Sequence, residues 1–224
     1  MTLRLPDLSA VVFDLDGTLI DSYAAIHDCL AEVLNAFGRP PVSRDETRRM
    51  VGHGLESLIA RAVGEENVAE GVRLFRLRYA VVGIESTRLL PGAVEVTRAL
   101  HEAGLLLVVA SNKPAYFSRQ ILEHLRLLDR FRVVTGPDDG FPPKPAPDMV
   151  FVALATIGSK APDALFVGDM PVDILTARAA GMPVVVVPTG SSTREELLAA
   201  APDVVLEGLT DLIPLLHGKA RGRN

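Results

Sequence analysis

The sequence predicts an α/β fold: a doubly wound, Rossmann-like parallel sheet core that carries an inserted α-helical domain. Three observations predict it. Short β-branched or apolar runs recur along the chain, helix-like segments separate them from residue 105 onward, and residues 21–87 show helical periodicity with no convincing strand. The first run, Ala10 to Leu15, reads as a buried strand that ends in two acids and a glycine turn. Beyond it, Ile26, Leu30, Val33 and Leu34 share one helical face, and Leu55, Leu58, Ile59 and Ala62 share another. Entry to this insert near Ile20 and exit near Arg88 to Pro91 would form its hinge. Pro91-Gly92 then opens a helix that closes near Gly104.

The remaining elements alternate. Strands are expected at Leu105 to Ala110, Arg132 to Thr135, Ala164 to Val167, Pro183 to Val187 and Val204 to Leu206. Helices are expected at Pro114 to Leu125, Pro147 to Ile157, Val172 to Ala180, where Gly181 closes the segment, and Thr193 to Ala199. The expected organisation is therefore a core of residues 1–19 and 88–217, an α-helical insert of residues 20–87, and a basic, aperiodic tail at 218–224 that frays.

Composition narrows the function classes. A chain of 224 residues with 48% hydrophobic content can bury a large core. Its net charge of -5 argues against a nucleic-acid surface, which needs clustered Lys and Arg. The single cysteine, Cys29, excludes an internal disulfide and a thiolate metal cluster. No signal-peptide pattern and no apolar stretch of about 20 residues is present, so a soluble cytoplasmic protein is expected. Lysine is scarce, at Lys113, Lys144, Lys160 and Lys219 alone.

The chemistry lies at the strand ends. Asp14-Leu-Asp16-Gly17-Thr18 places two carboxylates where doubly wound folds bind ligands, outside the carboxyl end of a parallel strand. Paired acids repel unless a cation, a proton or a substrate compensates them, which points to a divalent metal. An EF-hand loop is excluded, because Gly17 is fourth and Ala25 twelfth in the run, where that loop needs Gly sixth and Glu twelfth. Ser111-Asn112-Lys113-Pro114 brings a hydroxyl and backbone N–H groups to another strand end, as an anion site or as ordinary helix capping. Lys144 stands among prolines in Phe141-Pro-Pro-Lys-Pro-Ala-Pro, either as a presented point charge or as a loop lysine. Gly168-Asp169 and Asp173 end one strand and begin a helix, where either acid could cap the helix, though capping does not explain why a second strand ends in an acid.

Order and spacing together resemble the haloacid dehalogenase superfamily of aspartate-nucleophile phosphohydrolases, over the chain to about Leu216. Asp-x-Asp-Gly-Thr is similar to its first motif, Ser111 to its second, Lys144 to its third, and Gly168-Asp169 with Asp173 to its fourth. The insert looks like the small cap of the subgroup holding phosphoglycolate phosphatases, β-phosphoglucomutases and some pyrophosphatases. Ser111 to Pro114, with Val51-Gly-His-Gly-Leu55, is most similar to the phosphoglycolate phosphatase branch.

That resemblance implies Asp14 as nucleophile forming an aspartyl-phosphate, and Asp16 as the acid and base that separates phosphoryl transfer from dehalogenation. It implies Mg²⁺ on Asp14, the Asp16 carbonyl and Asp169, with Asp173 binding directly or through water. Ser111, the Asn112 N–H and Lys144 would hold phosphoryl oxygens, Thr18 would join the substrate site and orient Asp16, and His53 is the candidate specificity residue of the cap. Arg49 and Arg61 are weaker candidates, and the other histidines take no role. The implied partner is a small phosphorylated metabolite, first 2-phosphoglycolate, with no nucleic acid or membrane and a monomer or homodimer as the assembly. A sugar phosphomutase, an inorganic pyrophosphatase and a non-catalytic binding protein on the same scaffold are the alternatives.

Overall fold

Ala-Val-Val-Phe forms the first strand, β1 (Ala10–Phe13), and all four residues are fully buried. Successive side chains of a strand face opposite ways, so Val11 and Phe13 enter one apolar cluster while Ala10 and Val12 enter the other. In the computed structural model, which describes residues 8–217, the chain then turns through Asp14 to Leu19 into β2 (Ile20–Asp21). Four helices follow: α1 (Tyr23–Ala36), α2 (Arg44–Met50), α3 (Leu55–Val63) and α4 (Val68–Val82). The chain returns through β3 (Arg88–Leu89), α5 (Ala93–Glu102), β4 (Leu106–Ala110), α6 (Ala115–His124) and β5 (Phe131–Thr135). It ends with α7 (Asp148–Thr156), β6 (Ala164–Gly168), α8 (Pro171–Ala180), β7 (Val184–Val186), α9 (Arg194–Ala199), β8 (Val204–Val205) and α10 (Leu212–His217). The basic tail expected at 218–224 lies outside the described residues.

Six strands form one sheet in the order β5-β4-β1-β6-β7-β8, with every pairing parallel. Parallel sheets are covered on both faces. On one face, α5, α6 and α10 supply Val96, Ile121 and Leu212; on the other, α7, α8 and α9 supply Val150, Ile174 and Leu197. The chain order reverses beside β1, where β4 and β5 lie to one side and β6 to β8 to the other. A doubly wound sheet opens a crevice at such a reversal. The carboxyl ends of β1, β4 and β6 border it.

Local chemistry sets the helix ends. Ser43 and Glu46 make a reciprocal capping box on α2, with the Ser43 N–H donating to Glu46 at 2.7 Å and the Glu46 N–H to Ser43 at 3.2 Å. Pro171 opens α8, and Gly181 closes it with φ 72°, a left-handed turn that glycine takes without strain.

Within the insert, α4 packs on α1 and α3. Tyr79 of α4 stacks on Phe75 at 5.6 Å and meets Phe117 of α6 edge-on at 5.0 Å, so the insert and one sheet face share a single apolar cluster. Buried Cys29 belongs to it; burial pushes its thiol up to about 12 and keeps it protonated.

The expected strands and helices are found with end shifts of one or two residues. The hinge differs in kind: β2 and β3 pair antiparallel, Ile20 with Leu89 and Asp21 with Arg88, as a ribbon of two-residue strands where no strand was expected. Two residues are too few to carry a period. Among the described residues, no helix is long and apolar enough to cross a membrane.

Candidate active site

Asp14 follows the last residue of β1, and its N–H donates to the Val167 carbonyl at 2.9 Å, which fixes it against β6. Asp169 follows β6 directly, and Asp173 lies in the first turn of α8. The three carboxylates offer oxygens within 4.8 Å of one another, and all three residues are buried. Lys144, 3% exposed in its proline-bounded loop, reaches them: its ammonium lies 2.8 Å from Asp14 Oδ1, as an ion pair out of hydrogen-bond alignment, and donates to Asp173 Oδ1 at 2.6 Å. It is no surface lysine.

Asp173 also settles the capping alternative, because its Oδ2 accepts from the N–H groups of Asp169 at 3.1 Å and Met170 at 3.0 Å. One residue both caps α8 and engages the site lysine. Asp169 accepts from the Thr18 hydroxyl at 2.8 Å, while its Oδ2 is buried without a hydrogen-bond partner. Glycines make room for it: a Cβ at Gly190 or at Gly17, whose φ is 88°, would crowd that oxygen.

Three buried carboxylates thus face one ammonium. Burial, then the neighbouring Asp173 and Asp14, raises the Asp169 carboxyl well above the usual range; burial and Asp14 raise Asp173 although Lys144 opposes them. For Lys144, burial works to lower the pKa, and Asp14 with Asp173 outweighs it, leaving the amine above its ordinary value. An oxygen-only donor set with surplus negative charge and an orphaned Asp169 oxygen fits a small hard cation such as Mg²⁺.

Asp16 faces elsewhere. Its side chain accepts from Lys113 Nζ at 3.2 and 3.1 Å and from the Ser22 hydroxyl, in a nearly buried ion pair. The Lys113 ammonium lies 4.6 Å from the centre of the Tyr79 ring. Burial pulls the Lys113 pKa down, and Asp16 and Tyr79 outweigh it, so the amine stays charged. Thr18, expected beside Asp16, is corrected by this geometry: its buried hydroxyl is spent on Asp169, and Ser22 takes the place at Asp16. The turn at Gly17 sends the two neighbours to different acids.

Ser111 and Asn112 are buried at the end of β4 and do not cap α6; Asp138 does, accepting from the N–H groups of Ala115 and Tyr116. Ser111 Oγ accepts from the Lys113 N–H at 3.3 Å, which leaves its own proton to donate. The Asn112 side chain is engaged at both ends: Oδ1 accepts from the Lys144 N–H at 2.6 Å, and Nδ2 donates to the carbonyls of Gly52 at 3.0 Å and Lys144 at 3.2 Å. It staples the lysine loop to the insert.

Asp14, Asp16, Ser111 and Asn112 line a cavity of about 60 Å³ beneath the insert, walled by Leu55, Phe75, Tyr79 and Phe117. His53 is exposed in the turn between α2 and α3 and is not among the lining residues, unlike Gly52 and Gly54 beside it. Arg49 is exposed as well, and Arg61 reaches only the Met50 carbonyl at 3.4 Å. Arg48, which the sequence reading passed over, donates from α2 to the carbonyls of Thr189 at 2.8 Å and Gly190 at 2.7 Å and stacks 4.5 Å from the Tyr23 ring centre. Only its place in the fold distinguishes it from the arginines beside it.

Comparison with known proteins places the chain in a family. Residues 11–187 match the family model described as haloacid dehalogenase-like hydrolase. Phosphoglycolate phosphatase 1 of Pseudomonas aeruginosa is 34% identical over 220 residues, covering 94% of this chain and 80% of that protein. The phosphoglycolate phosphatase of Rhodospirillum rubrum is 36% identical over 214 residues, covering 91% and 88%. Among solved structures, a predicted phosphoglycolate phosphatase from Haemophilus somnus is similar with a TM-score of 0.88 at 26% identity, covering 95% of this chain and 99% of that one. A hydrolase from Pseudomonas syringae gives 0.80 at 26% identity, with 94% and 99% covered.

Proposed function

The chain belongs to the haloacid dehalogenase-like hydrolase family, in which it is a phosphoric monoester hydrolase, and from that premise we propose a Mg²⁺-dependent phosphatase acting on 2-phosphoglycolate through an aspartyl-phosphate. The observation that carries this reading is the cluster of Asp14, Asp169 and Asp173 around Lys144, three buried carboxylates against one ammonium. Such a surplus of buried charge is costly unless a cation completes it.

Asp14 and Asp169, with the Asp16 carbonyl, would hold Mg²⁺, which would supply the positive charge that lets a phosphate dianion approach a carboxylate. Asp173 has both oxygens engaged by Lys144 and by two backbone N–H groups, so it serves as a positioning residue behind the other acids. In the first step an Asp14 oxygen bonds to phosphorus while the bond to the leaving oxygen breaks, and Asp16, entering this step as the carboxylic acid, gives that oxygen its proton and is left as the carboxylate. In the second, water attacks the phosphorus, Asp16 takes the water's proton, and phosphate departs with Asp14 regenerated. Lys144 and the Ser111 hydroxyl hold phosphoryl oxygens throughout. Asn112 keeps Lys144 in place through its side chain.

The apolar walls of the cavity favour an organic leaving group over pyrophosphate. The names of the two curated relatives point the same way. A cytoplasmic setting is proposed with it, supported by the single, buried, free cysteine.

The test is phosphate release, with and without Mg²⁺, across phosphoglycolate, sugar phosphates, nucleotides, pyrophosphate and an aryl phosphate. Mg²⁺-dependent release favouring phosphoglycolate is expected, with a phosphoryl mass added to the Asp14 peptide in acid-quenched samples. Release from every ester at similar rates would overturn the substrate, and no release from any would overturn the reaction.

A further inference from the structure

Among the described residues lining the cavity, Lys113 alone is cationic. The second site lysine, Lys144, stays beside Asp14 and Asp173, where a phosphoryl group on Asp14 would meet it, and does not line the chamber. A phosphoryl group on Asp14 would therefore direct its leaving group into a space with apolar walls, such as Leu55, Leu58 and Phe75, and a single positive charge. That charge is held from two sides. Its ammonium contacts both Asp16 oxygens, lies over the Tyr79 ring, and belongs to a side chain only 7% exposed.

An ammonium carries three donors. Asp16 meets it through two contacts, and the face of the aromatic ring stabilises the cation without accepting all of its hydrogen-bonding capacity. Lys113 therefore retains the means to engage a second anion. We infer that Lys113 is the specificity-determining residue of the site: it receives the carboxylate of the leaving group and shares its ammonium between that carboxylate and Asp16.

This inference rests on the phosphatase reading above and adds the feature that the substrate must carry. A leaving group of two carbons that ends in a carboxylate would bring its charge into the chamber that Asp14 and Lys113 both line. An ester of the same length that ends in a hydroxyl meets no matching charge there. Selectivity comes from the core strand end that carries Lys113 and from the α4 ring above it, with no part for exposed His53.

The experiment compares 2-phosphoglycolate with 2-hydroxyethyl phosphate, for the wild-type protein and for Lys113→Met. The expected result is a kcat/KM loss on the order of 100-fold for phosphoglycolate, mainly in KM, against less than about 10-fold for the hydroxyethyl ester. Equal losses for both esters would overturn the inference and leave Lys113 a positioning residue for Asp16. A wild-type protein that hydrolyses both esters alike would overturn it too, while the phosphatase reading stands.

A binding measurement separates the two readings further. Glycolate is titrated by NMR into the wild type, Asp16→Asn, and the double variant Asp16→Asn/Lys113→Met, which keeps the local charge balanced and so guards against misfolding. Asp16→Asn is expected to tighten glycolate binding by about 10-fold, since it removes the competing carboxylate, and the double variant is expected to lose that gain. If no ester is hydrolysed, the phosphatase reading falls, and the titration still decides: unchanged glycolate binding across the three proteins overturns the role of Lys113.

Discussion

The two halves of the site differ in their charge balance. Around Lys144, three buried carboxylates meet one ammonium, and an Asp169 oxygen is left without a partner. Around Lys113, one carboxylate meets one ammonium, with Ser22 and Tyr79 completing the arrangement. The first half carries surplus buried acid, and a cation would balance it. The second half is complete without any ligand, so a ligand entering there must compete for what is already paired. On the reading proposed above, metal and phosphate would belong to the unbalanced half, and discrimination between leaving groups to the balanced one.

The largest expected effect breaks the unbalanced half. Asp14→Asn is expected to lower kcat by roughly 10⁴-fold or more, as loss of a nucleophile does. Because the substitution removes surplus negative charge, the metal-free variant is expected to melt no lower than the wild type. Calorimetry alongside phosphate release checks both halves of that statement.

Lys144→Met takes away the one counter-charge and is expected to cost about 3–5 kcal/mol of stability, the range for breaking a buried ion pair, read from urea unfolding. A loss no greater than that of an exposed lysine would refute the picture of a strained carboxylate cluster.

Metal addition sharpens the contrast. Binding at a hundredfold excess over Kd is worth about 2.7 kcal/mol, read as a rise in Tm. The folded pKa values of Asp169 and Asp173 are raised, by burial first, so the metal-free fold keeps protons that the unfolded chain has lost. The contribution of these two groups to the stability of the metal-free form is therefore fully present below the unfolded carboxyl pKa and is lost as pH rises through the raised values. Mg²⁺ must displace those protons, so its stabilising effect is expected to grow from mildly acidic to mildly alkaline pH. Asp169→Asn is expected to flatten that trend.

The smallest effect concerns the join between the halves. Arg48→Ala removes the hydrogen bonds from α2 to the Thr189 and Gly190 carbonyls and is expected to cost about 1–2 kcal/mol in denaturant unfolding. Activity is expected to fall by less than about tenfold, through KM, since Arg48 touches neither half of the charged site directly.

Much of the unbalanced half was legible in the sequence. Asp14, Ser111 and Asp169 stand at strand ends, and apolar runs followed by Gly, Ser or Asp mark such ends without knowledge of the fold. Lys144 was legible through its prolines and the scarcity of lysine. The balanced half was not. Asp16 meets Lys113 across 97 positions of sequence, and the Tyr79 ring comes from the insert, so no local period records their meeting. Ser22 lies only six residues from Asp16, yet which of Thr18 and Ser22 reaches it depends on the backbone turn at Gly17. His53 drew notice through its flanking glycines, which serve the turn and the cavity wall while the ring stays outside.

The short ribbon of β2 and β3 sets the terms on which the helical insert is portable. Its two strands pair side by side, so the insert begins and ends at neighbouring points, and in connectivity alone a tight turn could replace everything between them. Burial imposes a second condition. Ile26, Leu55, Phe75 and Tyr79 belong to the same apolar cluster as Phe13, Phe117 and Ile121 of the core. A foreign module spliced at the ribbon would inherit the attachment for nothing but would have to reproduce that apolar face. The fold is modular in its wiring and continuous in its interior, and new substrate chambers on this scaffold would come more readily from repainting the insert's inner wall than from exchanging the insert.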